Sequence, residues 1–519
     1  MTWFLVRSAG WASLALVLTL ALVTTVAVAR FAPAVPVLGP ADWAALRFTV
    51  GQAVLSAGLS VALAIPLARA LARRRFPGRA VLVALMGAPF ILPAIVAVFG
   101  LLAVWGRAGI VSQGLDILGL PPVSIYGPVG VVLAHVFFNL PLATRIILQG
   151  WLSIPQEQFR LAAMLSMTRR DVARHLERPM LRAVVPGAAL VIFLLCLSSF
   201  AVALALGGGP RATTIELAIY QAVRFEFDLP KAAALAVIQV MLCLGAATLT
   251  LSVARPVDTA PGLDRVVERW DAQGGRASDA TLITVAAVFL TLPLAMVVWR
   301  GVFGLFDMPP TIWRALATSL LIALPAAGLA VAMAGALAAL ILRMGARVPG
   351  VARGVEAAAI LALAVSPFVM GTGLFLILNP WTDPFAAAIP VTVAVNAVLA
   401  MPFGLRVLLP ALRDAEATQG RLGRSLGLSG WRLFRVAIWP RIRRAVGFSM
   451  GLAAALSMGD LGVITLFAPP GVETLPLAMY RLMGSYRTAG ADGAALVLVA
   501  AAFALLWLFD RGGRVDDPL

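Results

Sequence analysis

The chain has a single lysine, Lys231, and Pro230 precedes it. A phosphate-binding P-loop needs Gly-Lys followed by Ser or Thr, so this chain holds no such nucleotide site. Cysteine is scarce too. Cys196 and Cys243 each lie within an apolar run, without the spacing of a metal site or a disulfide framework, and they read as small buried hydrophobes. The two histidines, His135 and His175, are far apart and form no ligand cluster. No nucleophile, metal set or carboxylate pair is assembled, so the sequence assigns this chain no catalytic residue, no metal and no cofactor of its own. Acidic residues are few, 24 against 41 basic ones, for a net charge of +17. That charge is not gathered on a polar domain, which excludes a nucleic-acid-binding module.

Apolar residues are abundant. Of 519 residues 61% are hydrophobic, and the mean hydropathy is +0.96, where a soluble domain is about 45–50% apolar. Uncharged runs of about 20 residues are long enough to cross a bilayer as helices. Twelve are expected: 11–29, 48–68, 80–105, 125–144, 183–206 and 232–254, then 280–299, 315–342, 357–378, 386–405, 445–467 and 494–509. The first apolar stretch is longer than a signal-peptide core and reads as an uncleaved anchor. The fold class is therefore an all-α polytopic membrane protein.

Arginine sits in alternate loops, at 69–79, 145–182, 343–353 and 406–444. By the positive-inside bias these are cytoplasmic, which places both termini inside. The chain also repeats itself. Pro141, Arg145, Leu165, Pro179 and Val202 recur 261 residues later as Pro402, Arg406, Leu426, Pro440 and Val463. Residues 1–260 form a first repeat of about six spans and 279–519 a second. The polar stretch 255–278 links them. An even span number per repeat makes both copies point the same way, about an axis along the membrane normal.

The central loops carry Arg160, Ala162, Ala163, Ser166, Met167 and Pro179, and then Arg421, Gly423, Ser425, Gly427, Leu428 and Pro440. Their spacing resembles the cytoplasmic signature of ABC importer permeases: Glu-Ala-Ala, three residues, Gly, then a distant Leu-Pro. Arginine replaces the acid in both copies, and Ser166 replaces the glycine in the first. Further stretches are 73–79, 134–141, 207–221, 459–463 and 484–487. With these the chain resembles the fused permeases of bacterial thiamine and thiamine pyrophosphate ABC importers. The fused iron(III) permeases are a close alternative, and an ion-coupled secondary transporter is a third reading. The resemblance implies the type I ABC importer permease fold in a bacterial inner membrane. It implies two copies of a separate ATPase subunit, holding ATP and magnesium, beneath the two loops. It also implies a periplasmic binding protein on the opposite face and transport by alternating access.

Asp460 lies within an apolar span, where an acid is costly and points to function. Ser199 holds the same place in the first repeat. Beside them Ser198, Asn139, His135 and Asn396 are polar groups within spans. Such groups either bridge helices or face a watery route. The outer segments 207–216 and 468–476 supply candidate docking residues for the binding protein: Gly208, Gly209, Arg211, Glu216, Tyr220, Glu473 and Tyr480. The two tyrosines also fit the role of interfacial anchors.

Overall fold

A computed structural model describes residues 2–32, 38–87, 89, 92–207, 209–253, 266, 274–345, 347–361, 366–469 and 471–513. Among the described residues there is no strand. Helix dominates because a bilayer interior offers no water to backbone N–H and C=O groups, and a helix satisfies them within itself. Eleven helices among the described residues are long and apolar enough to cross a membrane. The expected count of twelve is not reached. The segment 357–378 falls on the short helices Pro349–Leu361 and Pro367–Leu378. Most of the 255–278 linker, residues 255–265 and 267–273, lies outside the described residues.

The chain packs as two compact units that are discontinuous in sequence. One comprises 1–38, 218–241 and 301–519; the other comprises 39–217 and 242–300. Packing therefore divides the chain differently from the repeat. The helix Thr2–Phe31 packs with the second repeat, against Thr311–Gly345 and Pro367–Leu378. The approach is close: a Cβ on Gly373 would lie 2.5 Å from Thr24 Cβ, and one on Gly10 would lie 2.7 Å from Leu340 Cβ. The first part of Arg276–Gly304 packs with the first repeat. Buried Asp279 accepts hydrogen bonds from Arg73 and from Arg74, each at 2.6 Å at its shortest. Arg74 Nη2 also donates to the Gly274 carbonyl at 2.8 Å. A buried carboxylate is tolerable only when paired and hydrogen-bonded, and two guanidinium groups meet that need.

In the unit containing 301–519, Thr311–Gly345 packs along Ala388–Ala415 and Trp439–Met458. Thr488–Gly513 closes against Trp439–Met458 along a glycine seam. A Cβ on Gly447 would lie 2.3 Å from Phe509 O, and one on Gly451 would lie 2.8 Å from Leu506 Cα. Four-residue spacing of small groups lets membrane helices meet backbone to backbone. Overpacking such a seam costs about 1–3 kcal/mol. Gly447→Ala is therefore expected to lower the midpoint of thermal unfolding in detergent. Gly335→Ala places its Cβ where nothing lies within 4 Å and is expected to raise the midpoint, since alanine favours a helix interior by about 0.5–1 kcal/mol. Equal midpoints for the two variants would remove the seam from this account.

Candidate functional site

The two arginine-rich loops fold alike. In the first, the helix Gln156–Met164 ends and the chain turns through 165–168. It re-enters a helix at Arg169–Val172, passes a π-helical turn at Ala173–Glu177 and continues as Arg178–Leu197. In the second, Arg421–Ser425 is followed by Gly430–Leu433, a π-helical turn at Phe434–Ile438, and Trp439–Met458. The π turns share the 261-residue register. Pro179 and Pro440 are the second residues of the long helices and directly follow the π turns.

Each turn closes by the same pair of bonds. Ser166 N–H donates to Ala163 O and Met167 N–H to Ala162 O, both at 3.0 Å. Gly427 N–H donates to Arg424 O at 3.0 Å and Leu428 N–H to Gly423 O at 2.9 Å. This is the Schellman pattern, whose C′ residue must be left-handed. Ser166 has φ 52° and Gly427 has φ 76°. The glycine of the signature is thus a conformational requirement, and Ser166 meets it at a steric cost. Ala162 and Gly423 face inward, whereas Arg160, Leu161, Ala163, Leu165 and their counterparts Arg421, Leu422, Arg424 and Leu426 are exposed. Leu161 is 56% exposed and Leu165 64%, against 55% for Leu422 and 70% for Leu426. An exposed ridge of leucine and arginine lies on each loop, with Arg424 of the second paired to Glu416. The first loop is braced by Glu177, buried and 3.0 Å from Arg69; the second has Ile438 at that place.

The intramembrane polar residues gather at two helix breaks. Ser198 and Ser199 interrupt the helix between Arg178–Leu197 and Phe200–Leu206. The Ser199 hydroxyl donates to His135 Nε2 at 2.5 Å. His135 Nδ1–H donates to Gln52 Oε1 at 2.7 Å. Gln52 Nε2 in turn donates to the carbonyls of Cys196, at 2.8 Å, and Thr49, at 3.1 Å, which fixes the amide orientation and the neutral histidine tautomer. Asn139 Nδ2 donates to His135 O at 2.8 Å. His135, Asn139 and Ser199 are thus brought together as helix-bridging groups, while the Ser198 hydroxyl reaches only Leu194 O, at 3.5 Å.

In the other unit, Gly459, Asp460 and Leu461 separate Trp439–Met458 from Gly462–Phe467. Asp460 Oδ1 accepts from Gly462 N–H at 3.0 Å. Asn396 donates to Ser457 Oγ at 2.9 Å and lies near the carboxylate, yet among the described residues the enclosed Asp460 Oδ2 has no hydrogen-bond partner of its own. Sequence reasoning did not single out Gln52 and Ser457. A glutamine inside an uncharged span, on one helix face with Thr49, Ser56 and Ser60, was the available signal.

Of the outer candidates, Gly208 lies outside the described residues. Gly209, with φ 133°, and Arg211 are exposed. Glu216 is 1% exposed, so its carboxylate is not on a docking face. Glu473 is engaged by Arg481. Tyr220 and Tyr480 are half-buried, and burial holds both phenols above their ordinary pKa. Beside Tyr220, Arg224 donates to Ala468 O at 3.1 Å and lies over the Phe385 ring, 5.4 Å from its centroid. Each short outer helix is capped from a neighbour. Thr49 Oγ1 accepts from Ile215 N–H at 2.9 Å, and Ser319 Oγ from Leu475 N–H at 2.8 Å.

No protein-family model matches the chain. It is 41% identical over 478 residues to the thiamine transport system permease protein ThiP of Brucella abortus (strain 2308), covering 90% of this chain and 87% of that protein. The protein of the same description in Escherichia coli (strain K12) is 41% identical over 480 residues, 90% of this chain and 89% of its own length. The Haemophilus influenzae counterpart is 34% identical over 488 residues, 91% of this chain and 89% of its own length.

Two expectations follow from this geometry. A Cβ at Gly427 meets no atom within 4 Å, so Gly427→Ala strains only the backbone, by about 1–2 kcal/mol. Amide hydrogen exchange over 421–433 should quicken in that variant, and exchange over 160–172 should slow in Ser166→Gly. In addition, Gln52→Leu leaves His135 Nδ1 and the Cys196 carbonyl without their partner. A buried unmet polar group costs about 1–3 kcal/mol, so the thermal midpoint should fall; an unchanged midpoint would mean that Gln52 is not structural.

Proposed function

The chain belongs to the thiamine transport system permease family, and from that premise we propose that it is the membrane-spanning, non-catalytic subunit of an ATP-driven ABC importer. Its cargo is thiamine and thiamine pyrophosphate, delivered from a periplasmic binding protein into the cytoplasm. The single observation that carries the coupling part of this reading is the pair of Schellman-closed helix turns in one register, each presenting an exposed leucine–arginine ridge. A protein that only obeyed the positive-inside bias would have no need of two such ridges.

In this reading, two copies of a separate ATPase subunit dock under the loops and hold ATP and magnesium. The small inward residues Ala162 and Gly423 let each loop pack tightly on the following helix. A Cβ on Gly423 would lie 2.3 Å from Leu433 Cδ1. Movement of a docked subunit therefore passes as a rigid body through the π turn into the long helix and up to its break. Each break is a candidate element of the substrate path: Ser198, Ser199, His135 and Asn139 at one, Asn396 and Asp460 at the other. Thiamine carries a thiazolium cation. An enclosed carboxylate oxygen with no hydrogen bond suits such a charge, because an intramembrane acid is stable only when matched. Both termini lie on the cytoplasmic side of the bacterial inner membrane, as the arginine-rich loops require. Gly209 and Arg211 are the exposed residues of the first outer segment available to the binding protein.

The test is uptake of labelled thiamine by proteoliposomes holding the permease, its ATPase and the cognate binding protein. Uptake should need ATP inside and binding protein outside. Asp460→Asn should reduce it at least about tenfold, the worth of roughly 1.4 kcal/mol, with ATPase docking intact. Normal uptake by Asp460→Asn would take this residue out of the path. Iron(III) rather than thiamine co-purifying with the binding protein would replace the cargo and leave the permease reading standing.

A further inference from the structure

The buried polar atoms without partners point to a site that transport does not explain. Arg443 lies near the start of Trp439–Met458, one turn after Pro440. Its Nε and Nη2 are buried, and neither has a hydrogen-bond partner among the described residues. A guanidinium is always charged and offers its donors in a planar fork that matches a phosphate. Two buried donors left unmet are costly, so the arrangement is suited to an anion brought from outside the chain.

The surroundings indicate which anion. Trp439–Met458 packs against Thr488–Gly513, and the seam closes tightest at this end. A Cβ on Gly513 would lie 2.8 Å from Arg443 O and 2.9 Å from Arg444 Cα. With a glycine there, the outer helix comes directly against the main chain of Arg443 and Arg444. Thr488–Gly513 is a peripheral helix: its most apolar stretch is only 28% buried within the protein, so the rest faces lipid. Arg441 and Arg444 are exposed on either side of Arg443. Arg511 lies over the exposed Trp507 ring, 5.0 Å from its centroid, the pairing of aromatic and cation found at membrane interfaces. The arginine-rich end of a span is its cytoplasmic end, and basic pockets between helices at that level take anionic head groups.

We propose that Arg443 binds the phosphate of an anionic phospholipid at the cytoplasmic end of the 439–458/488–513 helix pair, where Arg441, Arg444 and Arg511 add to the positive charge of that end. The first repeat lacks the arrangement. Arg182 stands in register with Arg443 but is exposed, and Met180 and Ala183 replace Arg441 and Arg444. The site therefore belongs to the second repeat alone.

The experiment is a thermal-unfolding titration of the full-length permease, purified with its ATPase subunits in mild detergent. The probes are phosphatidylglycerol, phosphatidylcholine and inorganic phosphate. Phosphatidylglycerol should raise the unfolding midpoint of the wild type, and phosphatidylcholine should not. Arg443→Gln should weaken the phosphatidylglycerol response at least about fivefold, the worth of one arginine at an anionic surface, while Arg444→Gln weakens it less. Should Arg443→Gln not fold, Arg443→Lys keeps the charge without the fork and should show a smaller loss. An Arg443→Gln response equal to that of the wild type would sink the idea. So would stabilisation by inorganic phosphate to the same extent, which would make this a free-anion site. Loss of ATPase co-purification with the lipid response intact would assign Arg443 to the protein partner instead.

Discussion

A bilayer interior contains no water to pair with an open backbone, and that constraint governs where this chain can depart from helix. Among the described residues it departs at 198–199 and, 261 residues later, at 459–461, and each of these departures is met by side chains. Ser199 reaches His135, and Asp460 receives the N–H of Gly462. The short helices beyond need their first N–H groups satisfied as well. Thr49 and Ser319 supply that from neighbouring helices. Polar side chains inside these spans are thus a consequence of broken helices.

The two arginine-rich loops were legible because their constraint is local. A left-handed residue, a proline at the head of a helix and small inward groups leave marks at fixed spacing, and the 261-residue register preserves them. The structure adds the reason for the marks. Gly427 and Ser166 both sit at positive φ, so the replacement of glycine by serine in the first copy is a strained version of one turn, not a different turn. The π turns at 173–177 and 434–438 had no comparable signature. They arise where one extra residue is accommodated inside a continuous helix, and composition does not record that.

Tertiary exchange was not legible either. Thr2–Phe31 reads as the first span of the first repeat, yet it packs with the second. Periodicity reports that a helix has apolar faces; it does not say which neighbour covers them. The lock between Asp279 and the Arg73–Arg74 pair was equally hidden. Those arginines read as an orienting cluster in a cytoplasmic loop, and an acid some 200 residues away carried no sign of belonging to it. The single register also has limits. It holds from Pro141 to Val202, but the helices carrying Thr49 and Ser319 are offset by 270 residues and those starting at Ile215 and Leu475 by 260. One ungapped comparison could not align them.

Once those offsets are allowed for, the two copies diverge in an ordered way. Positions that close turns or cap helices are kept in kind: Thr49 with Ser319, Ala162 with Gly423, Ser166 with Gly427. Positions that line the breaks are not. Gln52 stands opposite Ile322, His135 opposite Asn396, and Ser199 opposite Asp460. One break is a neutral network with its histidine bonded at both nitrogens; the other holds a carboxylate oxygen without a hydrogen bond. Under the proposed function, identical ATPase subunits require like sockets, which holds the loop residues in step. An asymmetric cation places no such demand on the breaks, and a fused chain can alter one copy without the other. On that reading, divergence at the breaks is what a duplicated engine with a single, lopsided cargo would leave.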